Sequence, residues 1–320
     1  MLQLTRYLYP KKFVELSFYD SMISKRNINE CLYWIYELYY SGYENETIDL
    51  IYNCYFNFYA LLNPSLIHRI NNKIEDWSSE KDDLLIGTIV KHMYNKKFNM
   101  DIFLKRSLIN NINRSKILKG PIPNWVKAYK PFHHEIRSIK EKNDEILMYK
   151  LKRMDPLKYN EFIKCVIKYF KNEEKINVRK PSYFLLELDE LHNFSLTYLV
   201  YLILFWRDYN HQNKNSILVA LNRFQIDYIK QLKEFADPLY KVLKSERRYS
   251  ISRDFIIKHG SPINDIDILN ETRNNWKYHA KDTPYWKDKF ISNTETDSEY
   301  DFEFDEQSLQ CQLKSCLKNV

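Results

Sequence analysis

Residues 27–64 read NINECLYWIYELYYSGYENETIDLIYNCYFNFYALLNP and predict two helices joined by a tight turn. Asn27 and Glu30 have the spacing of a capping box, in which a side-chain oxygen and a carboxylate satisfy the first free N–H groups of a helix. The residues that follow are nearly all apolar or aromatic, which is typical of a helix at the centre of its domain. Gly42 supplies the left-handed residue that ends this helix, and the bond to Pro64 ends the second.

Apolar residues at helical spacing recur along most of the chain outside this hairpin. They predict further helical segments over residues 65–78, 81–95, 100–113, 132–153, 155–172, 196–206, 216–244 and 263–278. Only four glycines occur in 320 residues, which argues against turn-dense β folds and glycine-rich phosphate loops. We therefore expect a mainly α fold without a substantial β-sheet. Its helical hairpins would stack as in HEAT or armadillo repeats, or form an irregular bundle.

Turn-forming residues and the distribution of charge predict three regions of the chain. Gly120-Pro121-Ile122-Pro123 marks a boundary between an N-terminal helical domain, residues 1–119, and a C-terminal helical domain, residues 120–290. Residues 291–320 are expected to be an acidic, disordered tail, because seven acids and two lysines follow Asn293. The tail could fold onto a basic partner, shield the body's own basic face, or only aid solubility.

The formal net charge of +7 is uneven, since the tail contributes about −5 and the body about +12. A basic body suits an anionic partner such as nucleic acid, although a lysine-rich composition from an AT-rich genome explains the same excess. Two basic clusters are candidate sites of contact with a phosphate backbone. The candidate residues are Lys96, Lys97, Lys105, Arg106, Lys241, Lys244, Arg247, Arg248 and Arg253.

Enzymatic and metal-binding patterns are weak. The sequence has no P-loop, HExxH, GxSxG or CxxC motif, so that we expect no catalytic residue, no metal and no cofactor. Glu30 and Glu37 share a helix face, but they are better explained as the hydrated edge of a core helix. Adjacent His133 and His134 do not share a face. The scattered cysteines fit a reducing compartment, and the longest apolar run is too short to span a membrane.

Two segments carry a resemblance. ECLYWIYELYYSG at residues 30–42, and WKYHA at 276–280 followed by TPYW at 283–286, resemble an uncharacterised helical family of nucleocytoplasmic large DNA viruses of the mimivirus kind. Residues 90–106 fit the same family. The pattern from Trp34 to Gly42 is also similar to the helical collar of clamp loaders. The viral resemblance implies expression in the host cytoplasm or packaging in the virion, and it supplies no catalytic residues.

Two functions remain open from the sequence. The first is a non-enzymatic helical scaffold or adaptor that binds nucleic acid through backbone electrostatics during viral replication or gene expression. The second is a virion structural or protein–protein interaction protein without nucleic-acid binding. Both predict a protein partner and no membrane association, and neither fixes the oligomeric state.

Overall fold

The computed structural model describes residues 3–25, 27–111, 121–176, 195–209 and 278–287, together with four single positions at 223, 227, 229 and 275. Helices make up 74% of this part of the chain, and its only β pairing is an isolated bridge between Leu4 and Pro10. The prediction of a mainly α fold without a sheet is therefore confirmed. The finer prediction of stacked hairpins stays a prediction.

The helices follow the order of the predicted segments. They are α1 (Lys11–Ile23), α2 (Ile28–Tyr39), α3 (Glu44–Cys54), a first π-helical turn (Tyr55–Tyr59), α4 (Leu66–Glu80), α5 (Asp83–Tyr94), α6 (Asp101–Asn111), a 3-10 helix (Asn124–Tyr129), α7 (His133–Lys140), α8 (Asp144–Lys152), a 3-10 turn (Pro156–Lys158), α9 (Tyr159–Asn172), α10 (Ser195–Leu204) and a second π-helical turn (Phe205–Tyr209). The predicted helices over 216–244 and 263–278 lie almost entirely outside the described residues.

The central hairpin forms as its end signals predict. The side chain of Asn27 caps α2 by accepting a hydrogen bond from the backbone N–H of Asn29. Gly42 follows α2 with φ +83°, the left-handed conformation that glycine adopts at little cost. The second helix changes to π geometry at Tyr55, so that one extra residue enters the turn before Asn63.

Three helix-to-helix turns share one construction. A lysine in the left-handed conformation precedes, by one or two residues, an Asn or Asp whose side chain caps the next helix. The pairs are Lys25 with Asn27, Lys81 with Asp82, and Lys142 with Asn143. A left-handed lysine costs about 1–2 kcal/mol, and the cap that follows offsets about 1 kcal/mol of it.

The chain divides into two compact units that do not follow sequence order. Unit 1 comprises Met1–Ile51, Ile70–Asn95 and Leu218–Val320, and unit 2 comprises Tyr52–Arg69 and Lys96–Ile217. The predicted boundary at Gly120 and the predicted tail lie outside the described residues. The division into three regions therefore stays a prediction.

In unit 1, α2 lies at the centre and packs against α1 and α5. Residues 278–287 close this unit against the N-terminal segment. Trp286 donates from Nε1 to the carbonyl of Thr5 at 3.1 Å, and the N–H of Tyr285 donates to the carbonyl of Ser41 at 3.2 Å. A Cβ at Gly42 would lie 2.5 Å from Cβ of Pro284, so that only glycine fits beneath this segment.

In unit 2, α10 packs against α6, α9 and the first π-helical turn, while α7 pairs with α8. Aromatic rings fill these contacts. Phe56 lies 5.9 Å, centroid to centroid, from both Tyr198 and Tyr201 of α10, and Phe170 of α9 lies 5.7 Å from Trp206. The helix predicted over residues 196–206 is therefore the core helix of unit 2.

Candidate functional site

Two of the four cations in the first predicted cluster form pairs within unit 2. Nζ of Lys105 lies 2.5 Å from Oδ2 of Asp144, and Nη1 of Arg106 donates to Oδ1 of Asn57 at 2.8 Å. Lys96 is half-buried and Lys97 is exposed. Lys105 and Arg106 thus stabilise contacts within unit 2. Nucleic-acid binding by the four residues stays a prediction.

Asp144 at the start of α8 is the hub of a charged network. Its Oδ1 accepts a hydrogen bond from Nη1 of Arg207 at 2.8 Å, while its other oxygen pairs with Lys105. Burial disfavours the charged form of Asp144, but the hydrogen bonds from Arg207 and Lys105 outweigh burial and hold the pKa of this carboxyl below its usual range. The network continues through Asp208, which pairs with Arg207 and with Lys142.

A second polar cluster lies beside this network at the start of α6. The hydroxyl of Tyr209 donates to Oδ2 of Asp101 at 2.5 Å and accepts from Nδ2 of Asn99 at 2.9 Å. Burial and the hydrogen bond to the Asp101 carboxylate raise the pKa of Tyr209 to about 12. Tyr209 is therefore a neutral hydrogen-bonding group at physiological pH.

These two clusters connect α6, α8 and the second π-helical turn, and neither contains a carboxylate set up for general acid or base catalysis. Asp144, Asp208 and Asp101 each already accept from a cation or a phenol, and the pKa of Asp144 is lowered, opposite to the shift that suits a general acid. The second π-helical turn aims Arg207 and Tyr209 at α8 and α6 respectively. Its irregular geometry positions these two side chains.

The second predicted cluster, Lys241, Lys244, Arg247, Arg248 and Arg253, lies outside the described residues.

The structure displays a different basic surface, which we call the lysine stripe. It consists of Lys164, Lys168, Lys171 and Lys175, all exposed, on α9 and just past its end. Spacings of four and three residues place Lys164, Lys168 and Lys171 along one helix face, and Lys175 follows three residues after the helix end. The opposite face of α9 buries Phe162 and Val166. The same spacing is visible in the sequence, but these four lysines are not among the residues predicted to contact a phosphate backbone.

Two tyrosine rings lie next to the lysine stripe. Nζ of Lys168 lies 5.8 Å from the ring centroid of Tyr129 in the neighbouring 3-10 helix. The Tyr129 ring in turn lies 6.0 Å from that of Tyr169. The hydroxyls of Tyr129 and Tyr169 donate to Glu173 and Glu174 respectively, which holds these two carboxylates against the rings at the end of α9.

Glu37 corrects an expectation about the central helix. The hydrated helix edge predicted for Glu30 and Glu37 is wrong, because both residues are buried. The side chain of Glu37 is 0% exposed and accepts hydrogen bonds from Nε of Arg6 at 2.8 Å and from the backbone N–H of Tyr7 at 3.1 Å. Burial raises the pKa of Glu37, and Arg6 opposes that shift. The sequence could not reveal the pair, since Arg6 precedes Glu37 by 31 residues.

The two adjacent histidines lie together at the start of α7, with ring centroids 4.1 Å apart. Burial, and then His133, lowers the pKa of His134. Within the described part of the chain, no group of three or more potential ligands could hold a metal ion. In that same part, no helix combines the length and apolar character needed to traverse a bilayer.

Comparison with protein-family models, with curated proteins and with solved structures finds no match to this chain. The viral resemblance of residues 30–42 and 276–286 therefore stays a prediction, and the candidate site rests on geometry.

Proposed function

We propose that this chain is a non-enzymatic helical scaffold that binds nucleic acid through the phosphate backbone, in the replication or gene expression of a large DNA virus. The lysine stripe carries the proposal, because it places three exposed ammonium groups in a row on one helix and a fourth, that of Lys175, just past the helix end. The resemblance of residues 30–42 to a family of large DNA viruses supports the biological setting.

The geometry of the lysine stripe suits a charged polymer. At 1.5 Å per residue, Lys164 and Lys171 lie about 10 Å apart along α9, which is roughly three phosphate spacings of one strand measured along the axis of a duplex. Lysine is a flexible point charge with no planar fork, so that it neutralises phosphates without reading bases. Binding should therefore be strongly salt-dependent and largely independent of sequence.

The test is fluorescence anisotropy of labelled duplex DNA, single-stranded DNA and RNA with the full-length chain between about 50 and 200 mM salt. The stripe variant combines Lys164→Gln, Lys168→Gln and Lys171→Gln. We expect it to bind more weakly and to lower the slope of log affinity against log salt by about 2–3 for duplex DNA, since each phosphate contact contributes about 0.9.

The matched control combines Lys12→Gln, Lys73→Gln and Lys81→Gln, which changes the net charge equally but removes lysines of unit 1. An equal loss in control and stripe variant would show that net charge alone drives binding. A third variant, with Lys244, Arg247 and Arg248 changed to Glu, tests the predicted second cluster. No binding at the lowest salt would refute the proposal.

A second function, protein–protein interaction without nucleic-acid binding, is favoured by one specific observation. Leu157 in the turn before α9 is 87% exposed. Single exposed apolar side chains are common, but this one stands on a turn whose backbone is fixed by a hydrogen bond to Asp155, so that it can insert into a pocket on a partner.

A further inference from the structure

Leu157 is the most exposed of the large apolar side chains described, at 87%. The next are Tyr278 at 54%, Leu104 at 48% and Ile122 at 39%. Leu157 forms the tip of the 3-10 turn that joins α8 to α9 in unit 2. Exposing a whole leucine forgoes burial worth about 1.5–3 kcal/mol, so that the free chain gains nothing from this placement.

The turn that carries Leu157 is held rigidly by its own hydrogen bonds. Oδ1 of Asp155 accepts from the N–H of Leu157 at 3.1 Å, and the carbonyl of Asp155 accepts from the N–H of Lys158 at 2.9 Å. Pro156 at the first helical position fixes its own φ. The backbone at Leu157 is therefore held in a defined position, which lowers the backbone conformational entropy lost on binding.

Cations border this apolar tip. Residues 150–164 contain five Lys or Arg and two Asp or Glu, and one of these acids, Asp155, is used as the cap. Arg153 and Lys158 are exposed on either side of Leu157. The guanidinium of Arg153 lies 4.5 Å from the ring centroid of Tyr149, which limits its motion.

We call Leu157 with its neighbours Arg153 and Lys158 the leucine tip. Such a surface is complementary to an apolar side chain flanked by carboxylates. One leucine is too little apolar surface to anchor a chain on a bilayer. Residues 295–306 of this chain, ETDSEYDFEFDE, contain seven acids and no Lys or Arg, and they alternate acids with Tyr300, Phe302 and Phe304. This segment has the complementary charge and the complementary apolar groups.

We propose that the leucine tip of one copy binds the acidic, aromatic segment 295–306 of a second copy. The two contacting surfaces differ, so that the contact is heterologous and each bound copy offers a free tip and a free segment to the next. The chain should therefore assemble into chains or rings as its concentration rises. This inference does not rest on nucleic-acid binding.

The test uses the full-length chain in sedimentation velocity over a concentration series. One variant is Leu157→Ser, and a second combines Phe302→Ser with Phe304→Ser. We expect the wild-type weight-average mass to rise with concentration and the dissociation constant to weaken at least about tenfold in both variants. Ile122→Ser is the matched control, since it removes another exposed apolar side chain of unit 2, and it should assemble like wild type.

Mixing the two variants gives the decisive result. The Leu157→Ser chain keeps an intact segment, and the Phe302→Ser/Phe304→Ser chain keeps an intact tip, so that an equimolar mixture should form dimers that grow no further. A mixture that stays monomeric would overturn the proposal, as would a wild type that is monomeric throughout. Binding of wild type, but not Leu157→Ser, to phosphatidylserine vesicles with unchanged self-association would instead assign the tip to a membrane.

Discussion

Glu37 and Arg6 illustrate how one pair of residues joins the N-terminal segment to the central helix. Arg6 uses Nε to reach the Glu37 carboxylate, and its backbone N–H donates to Oγ of Ser41 at 2.8 Å. Its guanidinium also lies over the rings of Tyr7 and Tyr40, at 4.6 and 5.1 Å. Charged groups this deeply buried are tolerated only because each one compensates the other.

Removing one partner of this pair should therefore be costly. We expect Glu37→Ala to lower the free energy of unfolding by about 3–5 kcal/mol, because Arg6 would remain as an uncompensated charge in the interior. Urea denaturation followed by circular dichroism measures the loss. The control Asp76→Ala breaks the exposed pair with Lys73 and should cost under about 1 kcal/mol.

The double variant Arg6→Met, Glu37→Leu distinguishes the effect of an uncompensated charge from the effect of lost packing. It should be more stable than Glu37→Ala, since replacing both ions with apolar groups leaves no charge uncompensated. A loss equal to or greater than that of Glu37→Ala would show that Arg6 and Glu37 stabilise the fold through their other contacts.

At the scale of elements, Asp144 ties α8 to α6 and to the second π-helical turn. We expect Asp144→Asn to cost about 1–3 kcal/mol at pH 7, the usual value for hydrogen bonds to charged groups. The pKa of Asp144 is lowered in the folded state, so that its contribution is present above the unfolded pKa of about 4 and is lost as the pH falls through the lower folded value.

The pH profile provides the check on Asp144. Unfolding of wild type and of Asp144→Asn should differ most near pH 7 and converge in acid. Asp155→Asn is a matched control, because asparagine caps the turn before α9 as well as aspartate does. Parallel profiles for wild type and Asp144→Asn from pH 7 down to pH 2 would contradict the role assigned to the ion pairs.

The start of α7 predicts a second effect of pH. The pKa of His134 is lowered in the folded chain, first by burial and then by the nearby His133 and Lys150. Arg137 lowers it further, and Glu135 raises it. As the pH falls below about 6.5, His134 is protonated in the unfolded chain but not in the folded chain, so that the free energy of unfolding decreases. His134→Gln should lose less stability than wild type between pH 7.5 and 5.5.

Chemical denaturation at the two pH values measures this difference. His68→Gln, which removes an exposed histidine of α4, should lose as much stability as wild type. If His134→Gln and wild type lose equal stability on acidification, protonation at α7 does not govern the response.

At the scale of the whole molecule, charge is divided between a basic body and the acidic residues that follow Asn293. We expect the full-length chain with all seven acids of residues 295–306 changed to Asn or Gln to bind nucleic acid faster, on the order of tenfold at low salt, because the repulsion of phosphates is removed. The same variant should not self-associate. Thr296→Ala with Ser298→Ala is the uncharged control.

Stopped-flow fluorescence measures the association rate. An unchanged rate in the neutralised variant would mean that the acidic residues do not act on the nucleic-acid surface.

The sequence by itself determined the helical class and most of the element ends. The apolar composition of α2 and the left-handed Gly42 are signals that depend only on neighbours along the chain. The hydrogen bond from the Leu157 N–H to the Asp155 side chain is of the same local kind. The left-handed lysines at 25, 81 and 142 were not predicted, because lysine carries no turn signal of its own.

Only the tertiary structure decided which charged residues are available to a ligand. Lys105 and Lys168 are alike in sequence, yet Lys105 pairs with Asp144 while Lys168 lies exposed in the stripe. Glu37 became a buried ion only because the N-terminal segment brings Arg6 across it. The physical reason is that the environment of a charge depends on partners distant in the chain, whereas helix formation depends on the residues within the next turn.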